Sequence, residues 1–256
     1  MSTLILTPEA MYQGDLILVS AAYPCHPLPC PDLVTVAGTQ VLLENRAAQA
    51  LDRLMAVIGG WEGITPVSGW RAQEEQEAIW ADSLAENGLA FTQTYVALPG
   101  HSEHQTGLAI DLGLKGNHID FIRPDFPYQG LCQDFRRAMA RFGFVQRYPA
   151  GKEAVTGIGH EPWHFRYVGQ PHAAIMEARG LTLEEYIPWL REFPYESCRY
   201  QEKNARISFL RANPQGPTVL ERSDPLPCAV SGNNVDGFII TEWRQAHGET
   251  DQVRRP

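Results

Sequence analysis

Apolar positions recur at helical spacing over residues 47–58, where Ala47, Ala50, Leu51, Leu54, Met55 and Ile58 share one face. Gly59 and Gly60 end that run. Residues 65–69 read as a short strand entering a turn. Residues 73–86 are rich in good helix formers and predict a second helix, closed by Asn87 and Gly88. Residues 108–114 form an apolar run broken by a single charge, Asp111. Further helices are expected over 135–142, His172–Arg179 and Leu183–Leu190. Gly143 stops the first and Gly180 the second, while Thr182, Glu184 and Glu185 open the third. A strand is expected over 165–168 from its aromatic and β-branched content. The first 40 residues read as loops with one short strand at 16–20. From Pro194 the pattern changes. Alternating runs at 206–210, 217–221 and 237–241, separated by Pro, Gly and Asn clusters, predict short antiparallel strands. The chain therefore reads as an α+β unit over residues 1–193 and a small β-rich C-terminal appendage over 194–256, with frayed ends from Thr250.

A composition of 44% hydrophobic and 20% charged residues is that of a globular protein, and 256 residues can bury a sizeable core. The formal net charge of −9 argues against nucleic acid or an anionic membrane as the main partner. No segment approaches the roughly 18 apolar residues needed to span a bilayer, so membrane insertion is not expected. The N-terminus lacks a basic stretch followed by an apolar one, and the five cysteines (Cys25, Cys30, Cys132, Cys198, Cys228) are odd in number and scattered. Together these features predict a cytosolic protein with reduced thiols. Cys25 and Cys30 could suggest a metal clip, but no second pair completes it.

The candidate chemistry lies in two segments, 99–111 and 157–164, where ligand-type side chains crowd together. His160, Glu161 and His164 match the helical zinc motif H-E-x-x-H in form. Pro162 speaks against that reading, because it disfavours the helical region for Glu161 and removes a backbone donor. The alternative is E-x-x-H at the mouth of a strand, with His164 as a ligand and Glu161 as general base. His104 and Asp111 then complete a set of two imidazoles and one carboxylate, a common catalytic zinc set that leaves room for water. A regular strand would put His104 and Asp111 on opposite faces, so Gly107 is expected to supply the turn that brings them together. Of the other histidines, His101 and His160 read as wall or pocket residues, and His26, His118, His172 and His247 as structural. Trp163 reads as part of the site wall.

The pattern Ser102-x-His104-x-x-Gly107-x-Ala109-x-Asp111, joined to Glu161-x-x-His164, resembles the zinc D,D-peptidase family of vancomycin resistance and cell-wall metabolism. Ser68 to Arg71 with Gln76 resembles the family's upstream substrate-site motif, and Arg147 to Glu153, Thr156-Gly157 and Leu181 to Tyr186 also fit. The resemblance covers about residues 40–187 and suggests the bifunctional dipeptidase/carboxypeptidase architecture. It implies a hedgehog/D,D-peptidase-type antiparallel sheet with helices packed on one side. It also implies zinc held by His104, Asp111 and His164 with a net charge of +1, Glu161 as base, and Arg71 as oxyanion donor. Ser102 and Gln76 would hold the substrate's C-terminal carboxylate or backbone. The implied substrates are D-Ala-D-Ala as the free dipeptide and as the end of peptidoglycan precursor peptides. Competing readings are an L,D-peptidase on stem peptides and a non-catalytic zinc or peptidoglycan-binding module. A binding module has no need of both Glu161 and Arg71. The loop at 115–130, with Asn117, Asp120, Asp125 and Tyr128, is a candidate cover that could close on a dipeptide or admit a longer chain.

Overall fold

The computed structural model describes residues 2–26, 31–116, 118–222 and 226–244. Cys30, Asn117, His247 and the segment from Thr250 lie outside them. In chain order the elements are β1 (Ser2–Leu6), β2 (Leu33–Thr35), β3 (Leu42–Glu44), α1 (Asn45–Ile58), β4 (Ile64–Ser68), α2 (Gln73–Asn87) and α3 (Leu89–Tyr95). There follow β5 (Ala109–Leu114), α4 (Gly130–Met139), β6 (Phe144–Tyr148), α5 (Glu153–Thr156), β7 (Glu161–Tyr167), α6 (His172–Arg179) and α7 (Leu183–Leu190). The chain closes with β8 (Tyr200–Glu202), β9 (Ala205–Arg211), β10 (Thr218–Arg222), β11 (Cys228–Gly232) and β12 (Gly237–Trp243).

The sheet that matters for chemistry is antiparallel, in the order β4-β5-β7-β6. Strand alternation divides its two faces. Ile110, Leu112, Phe144 and Phe165 point one way and pack with Ala47, Leu51 and Leu54 of α1 and Phe135 of α4 in one apolar cluster. The helices thus cover one face. The other face carries polar side chains, and the register aligns three of them: Ser68 pairs with Asp111, and Asp111 with His164. Helix α1 is tightly delimited. The Glu44 carboxylate accepts from the N–H groups of Arg46 and Ala47 at 3.0 and 3.2 Å, and Gly59 ends the helix at φ +64°.

The C-terminal strands form a second antiparallel sheet, β11-β12-β9-β8, and β10 pairs with β1 at the other end of the chain. Ile207, Phe209 and Ile239 share a buried cluster with Ile175 and Met176 of α6, Tyr186, Ile187 and Leu190 of α7, and Leu16 and Leu18. Inside that junction His172 is bonded to the Tyr186 hydroxyl at 2.8 Å and to the Thr241 hydroxyl at 2.9 Å.

The expected strand at 16–20 is absent. Leu16 to Val19 are buried but run irregularly, and their backbone is satisfied from elsewhere. The Leu16 N–H donates to Ser231 Oγ, the Leu18 N–H to the Asn233 carbonyl, and the Leu18 carbonyl accepts from the Asn234 side chain. Apolar content therefore gave the burial correctly and the conformation wrongly. Helix α4 begins at Gly130, five residues before the expected start, because Leu131 and Cys132 extend its apolar stripe. The pattern did not suggest α3. Its β-branched and aromatic residues favour other conformations, and it is held to α2 by a 2.8 Å contact between the Ser83 and Thr92 hydroxyls.

Candidate active site

Three local features bring the polar face to one point. Residues Glu103–Thr106 form a single 3-10 turn that Gly107 ends at φ +74°, in the left-handed region where an L side chain is strained. That turn frees His104 from strand alternation and lets it face Asp111. β7 pairs irregularly with β6: Gln146 faces Phe165 but Tyr148 faces Glu161, so two residues of β6 span four of β7. A regular strand would put Glu161 and His164 on opposite faces, yet Glu161 Oε2 lies 3.9 Å from His164 Nδ1. The extended conformation of Glu161–Tyr167 rules out the helical H-E-x-x-H arrangement.

His104 Nε2 is 3.2 Å from Asp111 Oδ2, and His164 Nδ1 is 2.9 Å from Asp111 Oδ1. One ligand-type atom from each of the three residues lies within 4.8 Å of the others, and all three residues are buried. Tetrahedral zinc with bonds of about 2.0–2.1 Å places neighbouring ligands about 3.3 Å apart, so the set fits such an ion. The proton arrangement fits as well. His104 Nδ1 bonds to the Gly69 carbonyl at 2.7 Å, which requires its proton there and leaves a lone pair on Nε2, towards Asp111.

Arg71 adjoins this set. Its Nη2 lies 3.1 Å from both His104 Nε2 and Asp111 Oδ2, while its Nε donates to Ser68 Oγ at 2.8 Å and its Nη1 to Gln76 Oε1 at 3.1 Å. The Gln76 amide nitrogen donates to the Ala97 carbonyl at 2.8 Å. Gln76 is buried behind Arg71 and accepts from its guanidinium. Ser102 is on the wall, with Tyr148, Trp163, Tyr95, Phe121 and Ile122. Phe121 and Ile122 come from the loop at 115–130, which therefore borders the site. That loop is fastened below by Tyr128, whose hydroxyl contacts His160 Nε2 at 2.7 Å and accepts from the Gln146 amide at 2.8 Å. His101 faces the neighbouring cavity and bonds to the Ser20 carbonyl at 2.8 Å.

Burial shapes the acid–base properties here. It pushes the Glu161 carboxyl up to about 8 against the opposing pull of His164. It lowers His104 to about 4, with Arg71 adding to the effect. Burial also opposes charge on Asp111, but His104 and His164 override it and hold the carboxyl well below its usual range. His164 rises to about 9 because Asp111 and Glu103 outweigh its burial. A buried carboxyl that exchanges its proton near neutrality, beside two imidazoles and a carboxylate aimed at one point, suits metal-assisted hydrolysis.

The sequence reading passed over Glu103. It is 2% exposed, accepts from Arg147 and Arg166, and lies 3.5 Å from His164 Nε2. Its position inside the crowded 99–111 segment was the available signal.

The sequence profile of the VanY family, described as D-alanyl-D-alanine carboxypeptidase, matches residues 40–170. The chain belongs to the VanY family. The match holds every residue of the site described above. This VanY-family chain is 46% identical over 161 residues to the bifunctional D-Ala-D-Ala dipeptidase and carboxypeptidase VanXYC of Enterococcus gallinarum, covering 62% of the chain and 85% of that protein. The structure of the vancomycin-resistance D,D-dipeptidase VanXYg with a D-Ala-D-Ala phosphinate analogue superposes with a TM-score of 0.91 at 44% identity. It covers 95% of this chain and 99% of that one, so the likeness extends into the C-terminal strands. A zinc-bound mutant of the D,D-pentapeptidase VanY from the VanB-type resistance cassette gives a TM-score of 0.56 at 32% identity, over 68% of this chain and 98% of that one.

Proposed function

We propose that the chain is a zinc-dependent D,D-peptidase that hydrolyses D-Ala-D-Ala both as the free dipeptide and at the C-terminus of peptidoglycan precursor peptides, as in vancomycin resistance. One observation carries the reading. His104 Nε2, the Asp111 carboxylate and His164 Nδ1 converge in a buried pocket with Glu161 3.9 Å away, in a chain similar along 95% of its length to a D,D-dipeptidase. His104, Asp111 and His164 would hold the zinc, which supplies a Lewis acid for the scissile carbonyl and the attacking water.

Glu161 takes the proton of the attacking water and returns it to the leaving amine. Arg71 donates to the carbonyl oxygen as negative charge develops on it. Ser68 and Gln76 fix the guanidinium from behind, so it need not reorganise, and such a donor is typically worth about 3–4 kcal/mol. The Ser102 hydroxyl, on the pocket wall, offers a contact for the substrate's C-terminal carboxylate or backbone, and Gln76 acts through Arg71. Every residue lining the pocket precedes Pro194. Residues 1–193 thus carry the chemistry, and the described strands after Pro194 serve as a brace, with Ile207, Phe209 and Ile239 packed on α6 and α7. No helix among the described residues is long and apolar enough to cross a membrane. We place the enzyme in the cytosol, where free dipeptide and unexported precursor are both present.

The comparison of kcat/KM on D-Ala-D-Ala and on an acyl-D-Ala-D-Ala peptide tests the dual scope. Values within ~1,000-fold support it, since that ratio is ~4 kcal/mol of transition-state discrimination. A wider gap in either direction makes the enzyme a specialist.

A further inference from the structure

Behind His164, on the side away from Asp111, lies a buried ion cluster that the peptidase reading leaves unused. Glu103 is at its centre. Arg147 Nε donates to Glu103 Oε1 at 2.7 Å and Arg166 Nη1 donates to the same oxygen at 2.8 Å. Both arginines are buried, and each is anchored at its far end. Arg147 makes a two-bond pair with Glu184 of α7, at 2.8 and 2.6 Å. Arg166 Nη2 donates to the carbonyls of Asp15 and Ile17, both at 3.0 Å. Those carbonyls belong to the irregular segment that Ser231 and Asn234 hold in place, so the cluster ties the metal side of the sheet to α7 and to the C-terminal strands.

The two arginines load one oxygen of Glu103 and leave the other free. Glu103 Oε2 and His164 Nε2 are both buried without a hydrogen-bond partner, and they face each other at 3.5 Å. Leaving a buried polar atom unpaired costs about 1–3 kcal/mol. A proton on Nε2, with a closer approach of the two side chains than the present 3.5 Å, would pair both atoms at once. A metal-bound imidazole carries one ring proton, so placing it on Nε2 leaves the Nδ1 lone pair, on the Asp111 side, for the metal. His104 shows the mirror arrangement, with its Nδ1 on the Gly69 carbonyl and its Nε2 lone pair aimed at the same carboxylate.

We propose that Glu103 is a positioning residue of the metal centre, receiving the Nε2 proton of His164 and so fixing the ring with its Nδ1 lone pair towards Asp111 and the metal. The backbone acceptor on His104 and the carboxylate acceptor on His164 select opposite tautomers of the two ligands. This inference rests on reading His164 as a ligand. Partners of this kind typically contribute 10–100-fold to metal affinity.

Zinc affinity of the full chain and of its Glu103→Gln variant, measured by competition with a chromophoric chelator, tests the inference. Unfolding of the metal-free forms is followed alongside. The expected result is about 10–100-fold weaker zinc binding by the folded variant. Unchanged zinc affinity, with only the metal-free stability lowered, overturns the proposal. A glutamine between two arginines can prevent folding, so the wild-type chain provides a second measurement. In zinc-loaded protein with 15N-labelled histidine, His164 is expected to carry its proton on Nε2; a proton on Nδ1 overturns the proposal. His164→Ala separates the two layers. Zinc retained stoichiometrically by that variant removes the ligand reading itself. Zinc lost there but bound normally by Glu103→Gln removes the role of Glu103 alone.

Discussion

His172 gives the sharpest stability prediction, because it is buried where α6, α7 and β12 meet and only burial perturbs it. Its pKa falls from 6.5 to about 3. The folded protein keeps the ring neutral while the unfolded chain protonates it below about 6.5, so stability is complete above that pH and is lost as pH falls. At pH 5 the unfolded state holds an advantage of about 1.5 pK units, or ~2 kcal/mol, and the loss grows towards pH 3. In His172→Gln that proton-linked loss disappears. The substitution also disturbs the bonds to Tyr186 and Thr241, which costs ~2 kcal/mol at neutral pH. Urea unfolding of both proteins at pH 7.5 and pH 5 should therefore show a gap near ~2 kcal/mol that closes almost to zero in acid. The metal ligands are identical in the two chains, so the pH dependence of metal binding cancels in the difference. A gap that stays constant within ~0.5 kcal/mol means that the folded state accepts the proton, and the welded junction is then described wrongly.

Asp111→Ala should fold and bind less than a tenth of the wild-type zinc, measured by metal analysis after gel filtration; stoichiometric zinc removes Asp111 from the ligand set. Arg71→Ala should lower kcat about 100–1,000-fold while zinc content is kept, since an oxyanion donor acts on the transition state. An effect confined to KM assigns Arg71 to ground-state binding instead. Arg136→Met should destabilise by ~3 kcal/mol, because the buried carbonyl of Phe126 and the part-buried carbonyls of Pro127 and Pro162 lose their donor. A urea midpoint shift worth under ~1 kcal/mol contradicts that role.

Helix α1 was legible from its apolar spacing, α2 from helix-forming composition, α6 and α7 from their stop and cap residues, and β9 and β12 from alternation. So was the convergence of the two histidine-bearing segments, because Gly107 and Pro162 announce a turn and a non-helical backbone. What the sequence hid depends on partners distant along the chain. Leu16 to Val19 looked like a strand because apolar content reports burial, whereas the hydrogen bonds come from Ser231, Asn234 and Arg166, at least 149 residues away. The bond from Arg71 to Gln76 was likewise not announced by spacing. It missed Glu103 because the meaning of that carboxylate lies in Arg147, Arg166 and His164, not in its neighbours. The β-rich C-terminal region was foreseen as strands but not as a partner of β1, since pairing across the whole chain leaves no local trace.

Hydrolysis at this site turns on Glu161 acting on a water next to a bound metal. The decisive measurement is D-alanine release from D-Ala-D-Ala by wild-type protein and by Glu161→Gln, with zinc content determined on the same samples. Glutamine keeps the shape and removes the base, so both proteins should hold one zinc per chain and the variant should turn over at least ~100-fold more slowly. Release at wild-type rates by the zinc-loaded variant, or no release by zinc-loaded wild type, contradicts the account.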